Sequence, residues 1–169
     1  GSYPEVLTAE EVARKKSILG EIVNSYLFRD ILEIERVKGA KVLLDLLRLL
    51  AHQVGSEVSL RELGVNLDLD AKTVARYLDL LEKSFVIINL RGLSRNLRKE
   101  VTRTSKYYFY DNGIRNALIE NFNSLGLRND IGQLWENLMF IERLKHRSIK
   151  GVGANSYFWR TWDQKEIDL

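Results

Sequence analysis

The chain of 169 residues contains no cysteine, which excludes disulfides, thiolate metal sites and a cysteine nucleophile. A reducing, cytoplasmic setting fits that composition. No apolar run approaches the ~20 residues that a membrane-spanning helix needs. The first residues carry no signal-peptide pattern. No membrane partner is therefore expected. The chain also lacks a strong excess of one charge. Its 26 Lys and Arg against 23 Asp and Glu leave a formal +3, too little to argue for nucleic-acid binding from the whole chain. There is no internal repeat, no low-complexity tract and no Gly-x-x-x-x-Gly-Lys-Ser/Thr phosphate loop. Gly151-Val152-Gly153 is a lone Gly-x-Gly and reads as a turn. His52 and His146 are too isolated to suggest a metal site.

What is present is enough apolar material for a core. With 45% hydrophobic residues, the length suits one domain or two small ones sharing an interface. In the lead-in, 1–38, Thr8 and Glu11 have the spacing of a helix-opening capping box. Val12, Leu19, Ile22, Val23, Tyr26 and Leu27 follow at helical spacing, with Gly20 allowing a bend. Arg29-Asp30 reads as a solvated or locally paired face.

The stretch from Lys41 to Asn89 organises the rest. Leu43, Leu46, Leu47, Leu50, Ala51 and Val54 form one helical stripe, and Leu44 and Leu49 lie off it. Gly55 is placed to end that helix. Ser59 and Glu62 open a short second helix, and Asp68 or Asp70 caps a third over 71–83. In the third, Val74, Leu78 and Leu81 point inward and Lys72, Thr73 and Arg76 outward. A β-branched run over 85–90 and an aromatic run over 106–110 predict an antiparallel pair. This order, over 39–112, is that of a winged helix-turn-helix. Thr73 and Arg76 are residue types that read base edges, and Lys72 suits a phosphate. Asp70, Asp79 and Glu82 nevertheless neutralise that helix, so nucleic-acid contact and protein docking both stand as its use. The local charge lies just beyond it. Arg91, Arg95, Arg98, Lys99, Arg103 and Lys106 against the single Glu100 give 91–106 a charge of +5. Laid along phosphates, such a wing supplies what the helix lacks; otherwise it is a solvated basic loop.

After the wing, Asp111-Asn112-Gly113 carries turn chemistry, a short helix is expected over 114–122, and 126–130 reads as a polar connection. A longer helix is expected over 131–147, with Leu134, Trp135, Leu138, Ile141 and Leu144 as its apolar face. Strands over 156–160 and 166–169 end the chain in mid-pattern, as a fragment of a longer protein would.

Several motifs occur in order: Tyr3-Pro4-Glu5-Val6, Tyr26…Arg29-Asp30, Thr73…Arg76-Tyr77-Leu78…Leu81-Glu82, and Tyr107-Tyr108-Phe109-Tyr110-Asp111-Asn112-Gly113-Ile114-Arg115. Gly132…Glu136-Asn137, Tyr157-Phe158-Trp159-Arg160 and Glu166-Ile167-Asp168 follow. Together they resemble the domain of unknown function that lies C-terminal to the AAA-type ATPase domain in many prokaryotic ATPases. The resemblance implies a mostly α fold with a small β part. It implies a winged helix after a helical lead-in from an ATPase domain, then, over 113–169, the start of a restriction-endonuclease-like α/β part. It implies ATP in the ATPase domain, which would be this module's own partner, and no cofactor in the present chain. Glu136 matches the helix carboxylate of that nuclease fold and Asp168 its strand carboxylate. Both would be catalytic ligands of Mg²⁺ in a complete site. In that fold the strand after Asp168 supplies Asp/Glu-x-Lys, and this sequence ends at Leu169, before that element. The expectation is thus a non-catalytic ATPase module that contacts DNA or RNA through Lys72, Thr73, Arg76 and the basic wing. The alternatives are a Mg²⁺-dependent nuclease in the full-length protein, or a scaffold that docks the ATPase domain.

Overall fold

The apolar stripe of the central helix, α3 (Ala40–His52), decides the packing. Leu43, Leu46, Leu47, Leu50 and Ala51 are buried completely or nearly so, and Val54 joins them just past the helix end. Each leucine contributes roughly 2 kcal/mol by burial, whereas helix propensity differs by only a few tenths of a kcal/mol per residue. The helix is therefore held by what it packs against. Leu44 and Leu49 are half-buried against the same core, which explains the two apolar sides read in the sequence. The coordinates are a computed structural model that describes residues 1–26, 39–92, 105–151, 156–160 and 166–168. Arg29-Asp30, Arg95, Arg98, Lys99 and Arg103 lie outside the described residues, as do the side chains of Arg160 and Asp168.

The lead-in differs from the expectation. Thr8 does not cap a helix; it is the last residue of α1 (Pro4–Thr8), and its hydroxyl donates back to the Pro4 carbonyl at 3.1 Å. Pro4 supplies the start instead, since its fixed φ suits a first helical position and its missing N–H is not needed there. Helix α2 (Val12–Glu21) follows with Glu11 at its N-cap, and one π-helical turn (Ile22–Tyr26) extends it.

From α3 the chain runs through β1 (Glu57–Val58), α4 (Leu60–Leu67) and α5 (Ala71–Lys83) to β2 (Ile87–Gly92) and β3 (Ser105–Phe109). The caps are those expected. Ser59 accepts from the Glu62 N–H at 3.4 Å, and Asp70 accepts from the Thr73 N–H at 2.9 Å. Strand β2 starts two residues later than expected because Phe85 adopts φ 55° in the turn after α5 and is exposed. Beyond β3 come α6 (Asn112–Leu118), a 3-10 turn (Leu125–Leu127), α7 (Ile131–Ile149), β4 (Tyr157–Arg160) and β5 (Glu166–Asp168).

The five strands form one small mixed sheet in the order β1-β3-β2-β4-β5. β2 and β3 are antiparallel, with Ile88 opposite Tyr108, and β4 adds parallel to β2, with Gly92 opposite Phe158. The described protein is otherwise mainly helical. One hydrophobic cluster joins Val6 and Ile18 of the lead-in to Leu46, Leu81, Phe109, Ile114 and Phe140, and reaches Phe158. All three sequence segments therefore contribute to one core.

Candidate nucleic-acid interface and the Glu136 site

Helix α5 buries Val74, Tyr77, Leu78, Leu80 and Leu81, which fixes its outer face. Lys72 and Arg76 lie on that face and are exposed. Thr73 is half-buried, and its hydroxyl donates to Asp70 at 2.6 Å, so it is already used by the cap. These two hydrogen bonds from Thr73 hold the Asp70 carboxyl below its usual value. The Arg76 guanidinium lies 5.4 Å from the Tyr77 ring centroid, within cation–π range. One turn on, Asp79 and Lys83 form an exposed ion pair at 2.7 Å. Burial raises the Glu82 carboxyl, against the Asn89 N–H and the Arg91 charge, which lower it. Arg91 itself is exposed on β2, opposite Ser105. Lys106, counted in the basic segment, is buried with its ammonium 5.3 Å from the Phe158 ring centroid. It therefore belongs to the sheet interior and adds nothing to an outer basic surface.

Glu136 points into the protein. Its Oε1 accepts from the Tyr108 hydroxyl at 2.6 Å, and both carboxylate oxygens lie in the space that a side chain on Gly55 would take. A Cβ on Gly55 would come within 2.7 Å of Oε1, and Gly55 holds φ 75°, where a side chain is strained in any case. Tyr108 is on β3, while Asp168 is on β5, three strands further across the sheet. At ~4.8 Å per strand, that separates the two backbones by about 14 Å laterally. They are also displaced along the strands, because β4 meets β2 at Gly92 while Tyr108 sits opposite Ile88. Among the described residues no group of three or more His, Cys, Asp or Glu is arranged to hold a metal ion. The surroundings of Glu136, a tyrosine hydroxyl and a glycine, do not fit the oxygen cluster that Mg²⁺ takes.

The residue next to it has the plainer role. Asn137 is buried, accepts from the Phe109 N–H at 2.7 Å and donates to the Phe109 carbonyl at 2.9 Å. Its amide also donates to Asn112 Oδ1 at 2.9 Å, and Asn112 donates to the Leu134 carbonyl at 2.9 Å. Asp111 caps α6 by accepting from the Ile114 N–H at 3.0 Å, and also accepts from the Ser2 hydroxyl at 3.0 Å.

A third centre was not legible as a site. Arg115 is buried, and its Nε donates to the Ala51 carbonyl at the end of α3 at 2.7 Å. It is also ion-paired with Asp130. Arg128 reaches both oxygens of Asp130 at 2.7 Å and donates to the Asn121 carbonyl at 2.6 Å. The Arg128 hydrogen bond leads the causes that hold the Asp130 carboxyl far below the usual carboxylate range, with Arg115 adding to it and burial opposing. The segment 126–130 looks like a polar connection because its partner, Arg115, lies a helix away in sequence.

Comparison with known proteins places this architecture in a family. An uncharacterized protein of Haemophilus influenzae is 30% identical over the whole of this chain and 40% of its own length. An uncharacterized protein of Mycobacterium tuberculosis is 27% identical over the whole chain and 38% of its length. One of Methanocaldococcus jannaschii is 24% identical over the whole chain and 37% of its length. The chain thus spans about two fifths of the relatives it matches. No solved structure matches it. Residues 1–127, from the lead-in through α6 to the 3-10 turn, match the family described as a domain of unknown function, DUF8612, and the chain belongs to that family.

Proposed function

We propose that this chain is a nucleic-acid-contacting module of a longer protein, with the unit from α3 to β3 acting as a winged helix. The observation that carries the reading is topological. Helix, strand, two helices and two strands follow in that order, and the first three strands lie as β1-β3-β2. In that arrangement α5 is the second helix of the helix-turn-helix, the one that enters a major groove. It offers Lys72 and Arg76 to solvent. The chain between β2 and β3, where a wing belongs, contains Arg95, Arg98, Lys99 and Arg103. Phosphate contacts from that segment would supply most of the affinity, with α5 setting orientation. The resemblance adds an ATPase domain, holding ATP, in the rest of the longer protein. The module is not catalytic in this reading.

The test is fluorescence anisotropy with labelled duplex DNA, duplex RNA and single strands across a salt series. The expected result is binding at low salt whose logarithm falls linearly with log salt, with a slope near −0.9 per phosphate neutralised on duplex DNA. Arg95, Arg98, Lys99 and Arg103 changed together to Ala should remove most of that slope. Lys72→Glu with Arg76→Glu should weaken binding by about tenfold or more. Absence of binding to every one of these probes at low salt overturns the reading.

A second reading, docking of α5 against the ATPase domain, is favoured by the Asp79–Lys83 ion pair and by Glu82, which leave that helix close to neutral. There Arg76→Glu would leave nucleic-acid affinity unchanged and reduce ATP turnover of the longer protein. The nuclease reading rests on the resemblance alone, since the partners of Glu136 give it no support.

A further inference from the structure

Helix α7 turns Leu134, Asn137, Phe140 and Ile141 into the core. The helical periodicity also places Trp135 and Leu138 on that apolar face, yet Trp135 is 62% and Leu138 40% exposed. With Ile131 at 43% and Ile149 at 86%, they form a second stripe. The positions 131, 135, 138, 142, 145 and 149 are spaced at alternating steps of four and three, so they share one side of the helix. The stripe reads Ile, Trp, Leu, Glu, Lys, Ile. It is apolar at both ends and carries its charges in the C-terminal half, as Glu142 and Lys145, paired at 2.8 Å.

That order is self-complementary. Set antiparallel against a copy of itself, with a two-fold axis on the stripe face between Leu138 and Glu142, Ile131 meets Ile149 of the other helix and Trp135 meets Lys145. Leu138 then meets the aliphatic stem of Glu142. Each indole receives an ammonium, a favourable cation–π pair, both isoleucines are covered, and the helix dipoles oppose. A parallel pair would instead stack Lys145 on Lys145 and Glu142 on Glu142. We propose that the exposed stripe of α7 is a homodimer surface, binding a second copy of this chain through an antiparallel α7–α7 contact in that register. A single helix pair lies at the low end of stable interface areas, so the dimer should dissociate on the order of micromolar concentrations.

The register makes the test sharp, because the chain has no native cysteine. Positions 131 and 149 of one helix lie about 27 Å apart at 1.5 Å per residue, too far for a bond within one copy. The Ile131→Cys/Ile149→Cys variant should form a covalent dimer on mild oxidation, and neither single-cysteine variant should. Light scattering of the parent chain should show mass rising from monomer to dimer between about 1 and 300 µM, as mass action requires. Trp135→Glu should remain monomeric with unchanged circular dichroism. If that variant fails to fold, Lys145→Glu, fully outside the core, should weaken the dimer at least tenfold. A monomeric parent chain over the whole range overturns the proposal, as does cross-linking by the single-cysteine variants as fast as by the double one.

Discussion

The side-chain amide of Asn137 pairs with both backbone groups of Phe109, accepting from its N–H at 2.7 Å and donating to its carbonyl at 2.9 Å. Phe109 is the last residue of β3, and on its other side it pairs with Ile87. Strand β1 reaches only Ser105 and Lys106, and the Gly55 N–H takes the Tyr107 carbonyl at 3.2 Å. Asn137 thus completes a strand edge that β1 is too short to cover. One residue of α7 does what a strand would do, and this anchors α7 to the sheet.

Asn137→Leu keeps the volume and removes both partners of Phe109. A buried backbone group left unpaired costs about 1–3 kcal/mol, so the variant should lose roughly 2–5 kcal/mol in urea unfolding at pH 7. A loss under 1 kcal/mol would mean that another group takes over the pairing.

Gly55→Ala meets two obstacles at one position, φ 75° and the Glu136 carboxylate 2.7 Å from the new Cβ. The backbone alone should cost about 1 kcal/mol, and displacement of Glu136 from Tyr108 adds to it. Combining it with Glu136→Ala should cost less than the sum of the two single changes. Strict additivity in that double-mutant cycle would show that the contact does not matter.

Asp130 sets the acid side of stability. Its folded-state carboxyl lies below the ordinary value of 3.8 because Arg128 and Arg115 hold it charged. Its contribution is therefore complete above that value and is lost as pH falls through the folded value. Between about pH 4 and 2 the parent chain should lose stability more steeply than Asp130→Asn. At pH 7 the variant should be the less stable of the two, because two buried guanidiniums then lack their carboxylate, and the gap should narrow in acid. Equal slopes in acid would refute the assignment.

Tyr107 acts on the alkaline side. Burial, with the Glu82 charge adding to it, pushes its hydroxyl from 10.0 up to about 12. The neutral form is favoured in the folded state, so the contribution is whole below pH 10 and drains away as pH rises toward 12. Tyr107→Phe should flatten the stability curve in that window. Absorbance at tyrosinate wavelengths should lose one late-titrating group in the same variant.

Local patterns were read correctly wherever the deciding contact was near in sequence. The stripe of α3, the Ser59–Glu62 and Asp70–Thr73 caps and the extent of α7 all follow from neighbours a few residues apart, and the β2–β3 pair from two strand-forming runs next to each other in chain order. Thr8 misled because a capping box and a helix-terminal threonine share one spacing, and Pro4 decided between them. Trp135 and Leu138 misled because two apolar stripes overlap on α7, and periodicity does not say which one meets the core. The motif residues Glu136, Asn137, Asp111 and Arg115 stand out in the sequence, but nothing in it pairs them with Tyr108, Phe109, Ser2 and Asp130 respectively. Each of those pairs joins different elements.

The sequence by itself determined the order of the elements from α3 onward, the Ser59 and Asp70 caps and the concentration of positive charge between β2 and β3, because these depend on spacing along one backbone. Only the tertiary structure decided that Glu136 turns inward to Tyr108, that Asn137 finishes a strand edge, and that Lys106 is interior. It alone decided which face of α7 is left bare. The reason is physical: a carboxylate or amide takes its role from the groups within about 3 Å of it, and the chain brings those together only when it folds.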